Sequence, residues 1–235
     1  MSFGPAADIV EVQRNSSKSV SGFPSGIASK QRDTAMIDFW FSIGSTYTYL
    51  SVMRLAEIQA ETSIEFRWRP FNVRSIMIEM DNVPFAKKPV KAAYMWRDIE
   101  RRAAMHRMVP KLPAPYPLAE LDRANRVAII AAREGWCEAY ARESYRRWFE
   151  MGEPAGSEPN ISASIEKAGQ KPEPVLRQAD SDAAKADLAA ATEQAKALGI
   201  FGSPNFVVDG ELFWGDDRLD DAIRWDRQIE SSPPD

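Results

Sequence analysis

Two short segments at opposite ends of the chain hold the residues best suited to chemistry. Ser42-Ile43-Gly44-Ser45-Thr46-Tyr47-Thr48-Tyr49-Leu50 reads as the end of a strand turning into a helix, with Ser45 at the helix start. Gly199-Ile200-Phe201-Gly202-Ser203-Pro204-Asn205-Phe206 reads as a glycine-lined turn that delivers a proline into a new strand. A lone serine before a helix is first of all a capping residue. The same hydroxyl can instead donate to an anion, and a helix N-terminus favours negative charge. Pro204 taken alone reads as an ordinary strand-entry proline with a trans bond; after Phe201-Gly202-Ser203 and before an apolar strand, a cis bond is the favoured reading. Cys137 and His106 are the single cysteine and single histidine. That excludes an internal disulfide, a CxxC redox pair, a cysteine-based zinc site and a multi-histidine metal site, so no metal is expected. Thiol chemistry here needs a thiol from outside. His106, alone on an arginine-rich stretch, reads as a surface or packing residue, which argues against a Ser-His-Asp triad.

The elements that must position these residues follow from periodicity. Met36–Ser42 (MIDFWFS) is an apolar, aromatic strand; Thr48–Gln59 carries Leu50, Met53, Leu55 and Ile58 at helical spacing. Ser63–Phe71 alternates Ile64, Phe66 and Trp68 with Glu65, Arg67 and Arg69, a half-buried strand. A long stretch with little strand character follows. Helices are expected over Lys91–Met108, Leu118–Glu134, Trp136–Met151, Ser162–Gly169, Glu173–Gln178 and Asp182–Leu198, with Pro110–Pro117 as a connector. Asn205–Val208 and Glu211–Trp214 flank Asp209-Gly210, a two-residue hairpin signal. Asp216–Gln228 closes the chain as a helix with its first two acidic residues where the dipole favours them. The order predicts an α/β fold: a thioredoxin-like βαβ…ββα sheet domain, over 36–71 and 199–230, with a large all-helical insertion over 72–198.

Composition narrows the partners. At 235 residues the chain can bury a full core. A net charge of −4 gives no reason to expect nucleic acid or a membrane surface as partner. No apolar run approaches the roughly 18 residues that would span a bilayer. Together with the cysteine usage this points to the cytoplasm. Residues 1–35, serine-rich and without sustained period, read as a flexible N-terminal extension without a secretory h-region, so that the folded domain begins at Met36.

The pattern of an apolar strand, then Ser45, Tyr47 and Tyr49-Leu50, resembles the 2-hydroxychromene-2-carboxylate isomerase and glutathione transferase kappa family, a DsbA-like branch of the thioredoxin fold. The resemblance covers about residues 36–225. It continues in Asn82 and Lys91-Ala92-Ala93-Tyr94-Met95, in Gly199 to Pro204, and in Asp209-Gly210-Glu211-Leu212-Phe213-Trp214-Gly215-Asp216-Asp217-Arg218-Leu219. That last block is its most specific part. The chain departs from the family in Thr46, where proline is usual, and in Thr48, where serine is common.

The resemblance implies glutathione as cofactor, with Ser45 beside its sulfur. A free thiol has a pKa near 8.5, and lowering it by two units needs about 2.7 kcal/mol of preferential stabilisation of the anion. One hydrogen bond to a charged group, roughly 1.5–3 kcal/mol, together with the helix end can supply this. Ser203 and Pro204 would pair with the cysteinyl segment. Asp216 and Asp217 would bind the γ-glutamyl amino end, and Asn82 and Lys91 the backbone and glycyl carboxylate. Taken alone, the two aspartates are routine first-turn residues and Asn82 and Lys91 solvent-facing ones. Arg97, Arg101 and Arg107 would ordinarily be solvated, but are candidates for a substrate carboxylate.

The implied activity is isomerisation of 2-hydroxychromene-2-carboxylate, or a related small aromatic carboxylate of aromatic degradation, by reversible thiolate addition in a homodimer. A kappa-class transferase or peroxidase is the alternative with the same cofactor, and a non-catalytic DsbA-like thiol or peptide binder is the third.

Overall fold

The computed structural model describes residues 36–82, 85 and 88–231; the extension expected over residues 1–35 lies outside the described residues. Among the described residues, four strands form one mixed sheet in the order β2-β1-β3-β4. β1 (Met36–Phe41) pairs in parallel with β2 (Glu65–Pro70), and antiparallel with β3 (Asn205–Val208), which pairs antiparallel with β4 (Glu211–Trp214). A parallel pair needs a crossover, and α1 (Thr48–Thr62) supplies it between β1 and β2. β3 and β4 need only a tight turn. Asp209 and Gly210 make it with φ of 51° and 88°, the positive values that a two-residue hairpin of this hand requires.

The alternation of β1 sorts its side chains onto two faces. Phe39 and Phe41 stack at 5.2 Å between ring centroids, Phe206 of β3 stacks on Phe39 at 5.3 Å, and Trp68 of β2 packs edge-on against both β1 rings. This is the centre of the larger core, which runs on without interruption to Val127, Tyr145 and Trp148 in the helices. Trp40 faces the other way, into a smaller cluster with Phe71, Ile76, Ala195 and Val207. Burying large aromatic rings supplies much of the drive that docks helices on both faces.

The helices between β2 and β3 are α2 (Val73–Glu79), α3 (Pro89–Met105), α4 (Leu121–Glu134), α5 (Cys137–Arg146), α6 (Asn160–Lys167), α7 (Pro172–Ala179) and α8 (Asp182–Ala197). α5 continues into a π-helical turn, Arg147–Met151, so the single helix expected there changes pitch part-way. α2 was not expected at all. Seven residues rich in β-branched side chains carry no readable period, and what starts the helix is a cap: Asn72 Oδ1 accepts from the N–H groups of Arg74 and Ser75 at 3.0 and 3.3 Å. At the end of the chain the expected helix begins later. A 3₁₀ turn, Asp216–Arg218, precedes α9 (Leu219–Ser231). Among the described residues no helix is long and apolar enough to cross a membrane.

Candidate active site

The turn from β1 into α1 is held by long-range polar contacts. The Tyr145 hydroxyl donates to the carbonyls of Ser42 and Ser45, at 2.9 and 3.1 Å. Asn125 accepts from the Ile43 N–H at 2.8 Å and donates back to the Ile43 carbonyl at 2.8 Å. Both side chains are fully buried, so each of these bonds is one that water cannot replace. Gly44 has φ of 125°, a conformation that a residue with a Cβ adopts only under strain. Thr46 turns its hydroxyl toward Met95 Sδ at 3.1 Å.

Ser45 is not the helix cap. α1 is preceded by Tyr47, in helical conformation and without a side-chain cap, and the Ser45 hydroxyl points elsewhere. It donates to the Ser203 carbonyl at 2.7 Å. The Ser203 hydroxyl is in turn fixed by the Ser42 N–H at 3.0 Å and by Thr48 Oγ1 at 2.9 Å. The Ser203–Pro204 bond is cis, as expected. The two segments picked out in the sequence therefore meet through side-chain hydroxyls.

Two chambers open from this meeting point, with Tyr47, Ser203 and Trp214 as shared walls. One, of about 540 Å³, is charged: Asp98, Arg102, Asp216, Asp217 and Arg218 line it beside Pro204. The other, of about 300 Å³, is mainly apolar, with Val73, Met77, Phe85, Met95, Tyr116, Leu121 and Phe201 around Ser45, Asn82 and Arg74. Trp214 is held at the partition by Phe201, 4.6 Å away between ring centroids. It lies so close to Gly202 that a Cβ there would sit 2.3 Å from the indole nitrogen. The glycine of the proline turn and the tryptophan of the β4 block are thus one packing unit.

The charged chamber is internally paired. Asp216 is buried and accepts from Ser51 at 2.9 Å and Arg54 at 3.1 Å on one oxygen, and from Arg102 at 2.6 Å on the other. Arg54 also contacts His106 Nε2 at 3.0 Å; burial first, and the Arg54 charge second, push the imidazole pKa below its ordinary value. The Tyr47 hydroxyl donates to Asp98 at 3.0 Å, and burial with that carboxylate drives the phenol pKa up. Asp217 is exposed and paired with its neighbour Arg218 at 3.1 Å.

Residues 36–223 match the family model of the DSBA-like thioredoxin domain. The chain belongs to this family. This DsbA-like chain is 28% identical over 189 residues to a 2-hydroxychromene-2-carboxylate isomerase of Sphingobium xenophagum, covering 80% of this chain and 95% of that one. It is 23% identical over 198 residues to glutathione S-transferase kappa 1 of Rattus norvegicus, covering 79% and 88%. Among solved structures, a 2-hydroxychromene-2-carboxylate isomerase superposes with a TM-score of 0.74 at 23% identity, over 83% of this chain and 95% of that one. The likeness to that structure shows the shared DsbA-like fold.

The DsbA-like fold brings Ser45, Asn82, Ser203, Pro204, Asp216 and Asp217 to the walls of the two chambers. Lys91, Arg97, Arg101 and Arg107 line neither. Arg97 pairs with Glu100, and Arg101 with Asp98 at 3.2 Å while lying over the Tyr94 ring. Arg107 lies beside His106 at a separate polar hollow. The guanidinium groups in the walls belong to Arg74, Arg102 and Arg218. Arg74 was missed with the helix that carries it; the one signal for it was Asn72 two residues earlier. Asn125 and Tyr145 had no local signal. Cys137 is buried in α5, where desolvation pushes its thiol pKa up, so it offers the site no thiolate.

Proposed function

We propose that the protein is a glutathione-dependent isomerase acting on 2-hydroxychromene-2-carboxylate or a closely related intermediate of aromatic degradation. The observation that carries this reading is the Ser45 hydroxyl, 2.7 Å from the Ser203 carbonyl where a charged and an apolar chamber meet. The donor set fits a γ-glutamyl tripeptide. Its zwitterionic end needs one anion and one cation, and Asp217 with Arg218 offers both at an exposed edge. Asp216, with both oxygens engaged, acts by holding Arg54 and Arg102 in place and not by meeting the ligand. The Ser203-Pro204 turn takes the cysteinyl backbone, and Asn82 the glycyl end. Lys91, as placed, takes no part.

Bound there, glutathione would supply a thiolate that adds reversibly to a conjugated keto acid and so allows a double bond to rotate. The chain's own residues set up that chemistry. Ser45 turns its hydroxyl hydrogen from the Ser203 carbonyl toward the sulfur, which stabilises the anion and frees the carbonyl to accept a ligand N–H. Tyr145 and Asn125 keep the turn from following that movement. The apolar walls exclude water from the reacting carbon, which strengthens each hydrogen bond in the chamber.

The test is turnover of 2-hydroxychromene-2-carboxylate with glutathione present and omitted, in the wild type and in Ser45→Ala. Loss of one charge-assisted hydrogen bond, roughly 1.5–3 kcal/mol, predicts a rate lower by about 10–100-fold with glutathione affinity nearly unchanged. A folded Ser45→Ala protein with full activity overturns the role of Ser45. The match to the kappa transferase supports a second reading, conjugation of electrophiles or reduction of peroxides, which parallel assays separate. Binding without turnover would leave a thiol or peptide binder. Dithiol exchange at this site has no sulfur to use, since Ser45 and Thr48 stand there. The reading has the protein act in the cytoplasm as a homodimer, which fractionation and light scattering test.

A further inference from the structure

Arg74 stands apart from the other arginines near the site. It is half-buried in the wall of the apolar chamber, and it is the one charged side chain among the described residues that line it. Arg54 and Arg102 share Asp216, and Arg218 has Asp217 and Asp221. Arg74 has no carboxylate partner among the described residues. One Nη donates to the Leu118 carbonyl at 3.1 Å, which fixes the plane of the group and leaves most of its five donors unused.

A half-buried guanidinium with donors left over is open to a ligand, and its planar fork matches a carboxylate by two parallel hydrogen bonds. Tyr116 lies within reach of its field: burial raises the phenol pKa and the Arg74 charge acts against that rise. The mount is rigid. Asn72 caps α2 and donates to Asp122 at 2.8 Å, while the Val73 N–H donates to Ser42 Oγ at 3.3 Å. Arg74 and Ser45 are therefore braced from the same end of β1, on one frame.

We infer that Arg74 selects the acceptor substrate, binding the carboxylate of a flat, largely apolar molecule so that its electrophilic carbon lies against Ser45. A volume of about 300 Å³ is at the small end for ligand pockets and suits a fused bicyclic ring better than a peptide. This assignment rests on the reading that glutathione spans the partition, with its γ-glutamyl end in the charged chamber and its glycyl end at Asn82, and that the acceptor takes the rest of the apolar chamber. It moves the substrate cation from α3, where Arg97 and Arg101 lie, to α2.

Equilibrium dialysis with two unreactive probes tests it: 2-naphthoate and its uncharged amide, 2-naphthamide, against the full-length protein. The wild type should bind the anion at least about tenfold more tightly than the amide. In Arg74→Gln that preference should fall to within about twofold, and Arg74→Lys should restore part of it. The dissociation constant of glutathione, measured separately, should change by less than about twofold in both variants. No preference in the wild type, or a preference kept in Arg74→Gln, overturns the inference. So does a loss of glutathione affinity with the naphthoate preference intact, which would give Arg74 to the glycyl carboxylate. If Arg74→Gln does not fold, Arg74→Lys and the wild-type comparison still decide. Failure of the wild type to bind glutathione would defeat the glutathione reading alone and leave the naphthoate comparison standing.

Discussion

The two chambers that meet at Ser203 are built on opposite principles. In the charged one, nearly every ion has its partner within the protein: Asp216 with Arg54 and Arg102, Asp98 with Tyr47 and Arg101, Asp217 with Arg218. In the apolar one, the single cation among the described residues rests on a backbone carbonyl. A self-paired chamber is a scaffold whose exposed edge can exchange one partner for a ligand's charges at little cost. An unpaired guanidinium waits for a specific counter-ion. On the proposed function, the first recognises what all reactions at this site share, and the second what distinguishes one substrate from another.

The harshest way to break the comparison is to unpair the charged chamber. Asp216→Asn keeps the side-chain size but leaves two guanidinium groups without their shared anion. Disrupting a buried pair of this kind costs roughly 3–5 kcal/mol, or about 6–20 °C in Tm at the 2–4 °C per kcal/mol usual for domains of this size. Thermal melts should show that loss, while the preference of the apolar chamber for 2-naphthoate persists in the folded protein. An unchanged Tm would mean that the pairing is not what holds this wall.

Tyr145→Phe is milder and probes the frame common to both chambers. It removes the donor shared by Ser42 and Ser45 without opening a cavity, and about 1–2 kcal/mol of stability should go with it. On the proposed function, the rate of isomerisation should fall several-fold with little change in glutathione affinity. A rate equal to wild type would show that Asn125 alone positions the turn.

The smallest effect is expected from His106. Its folded-state pKa lies below the unfolded value, so the folded protein favours the neutral ring. The resulting stability is complete above about pH 6.5 and is lost as pH falls through the folded-state value. Melts at pH 7.5 and pH 5 should show a slightly larger drop for the wild type than for His106→Asn. Equal drops would separate His106 from the network around Asp216.

How much of this could be read from the chain depends on how local each cause is. The strand Met36–Phe41 and the hairpin at Asp209-Gly210 were legible because alternation and two turn residues specify them within a few positions. The helix Val73–Glu79 was not, because its start depends on one asparagine and its seven residues make just under two turns, too few to display a period. Asn125 and Tyr145 reach the β1–α1 turn from 82 and 103 residues away, and no spacing announces such contacts. The adjacent aspartates show the limit most plainly. Asp216 and Asp217 are equivalent as letters, yet one is buried in a net of arginines and the other exposed at the edge.

By itself the sequence determined the order of elements, the two segments singled out for the candidate site and the fact that neither carries a cysteine. These follow from residue types and short-range periods. Only the tertiary structure decided that Ser45 donates across to Ser203 instead of capping a helix, which aspartate is exposed, and that Arg74, and none of Arg97, Arg101 and Arg107, faces the apolar chamber. The physical reason is the same in each case. Where a hydroxyl or a charge points is set by what packs around it, and those neighbours are distant in the chain.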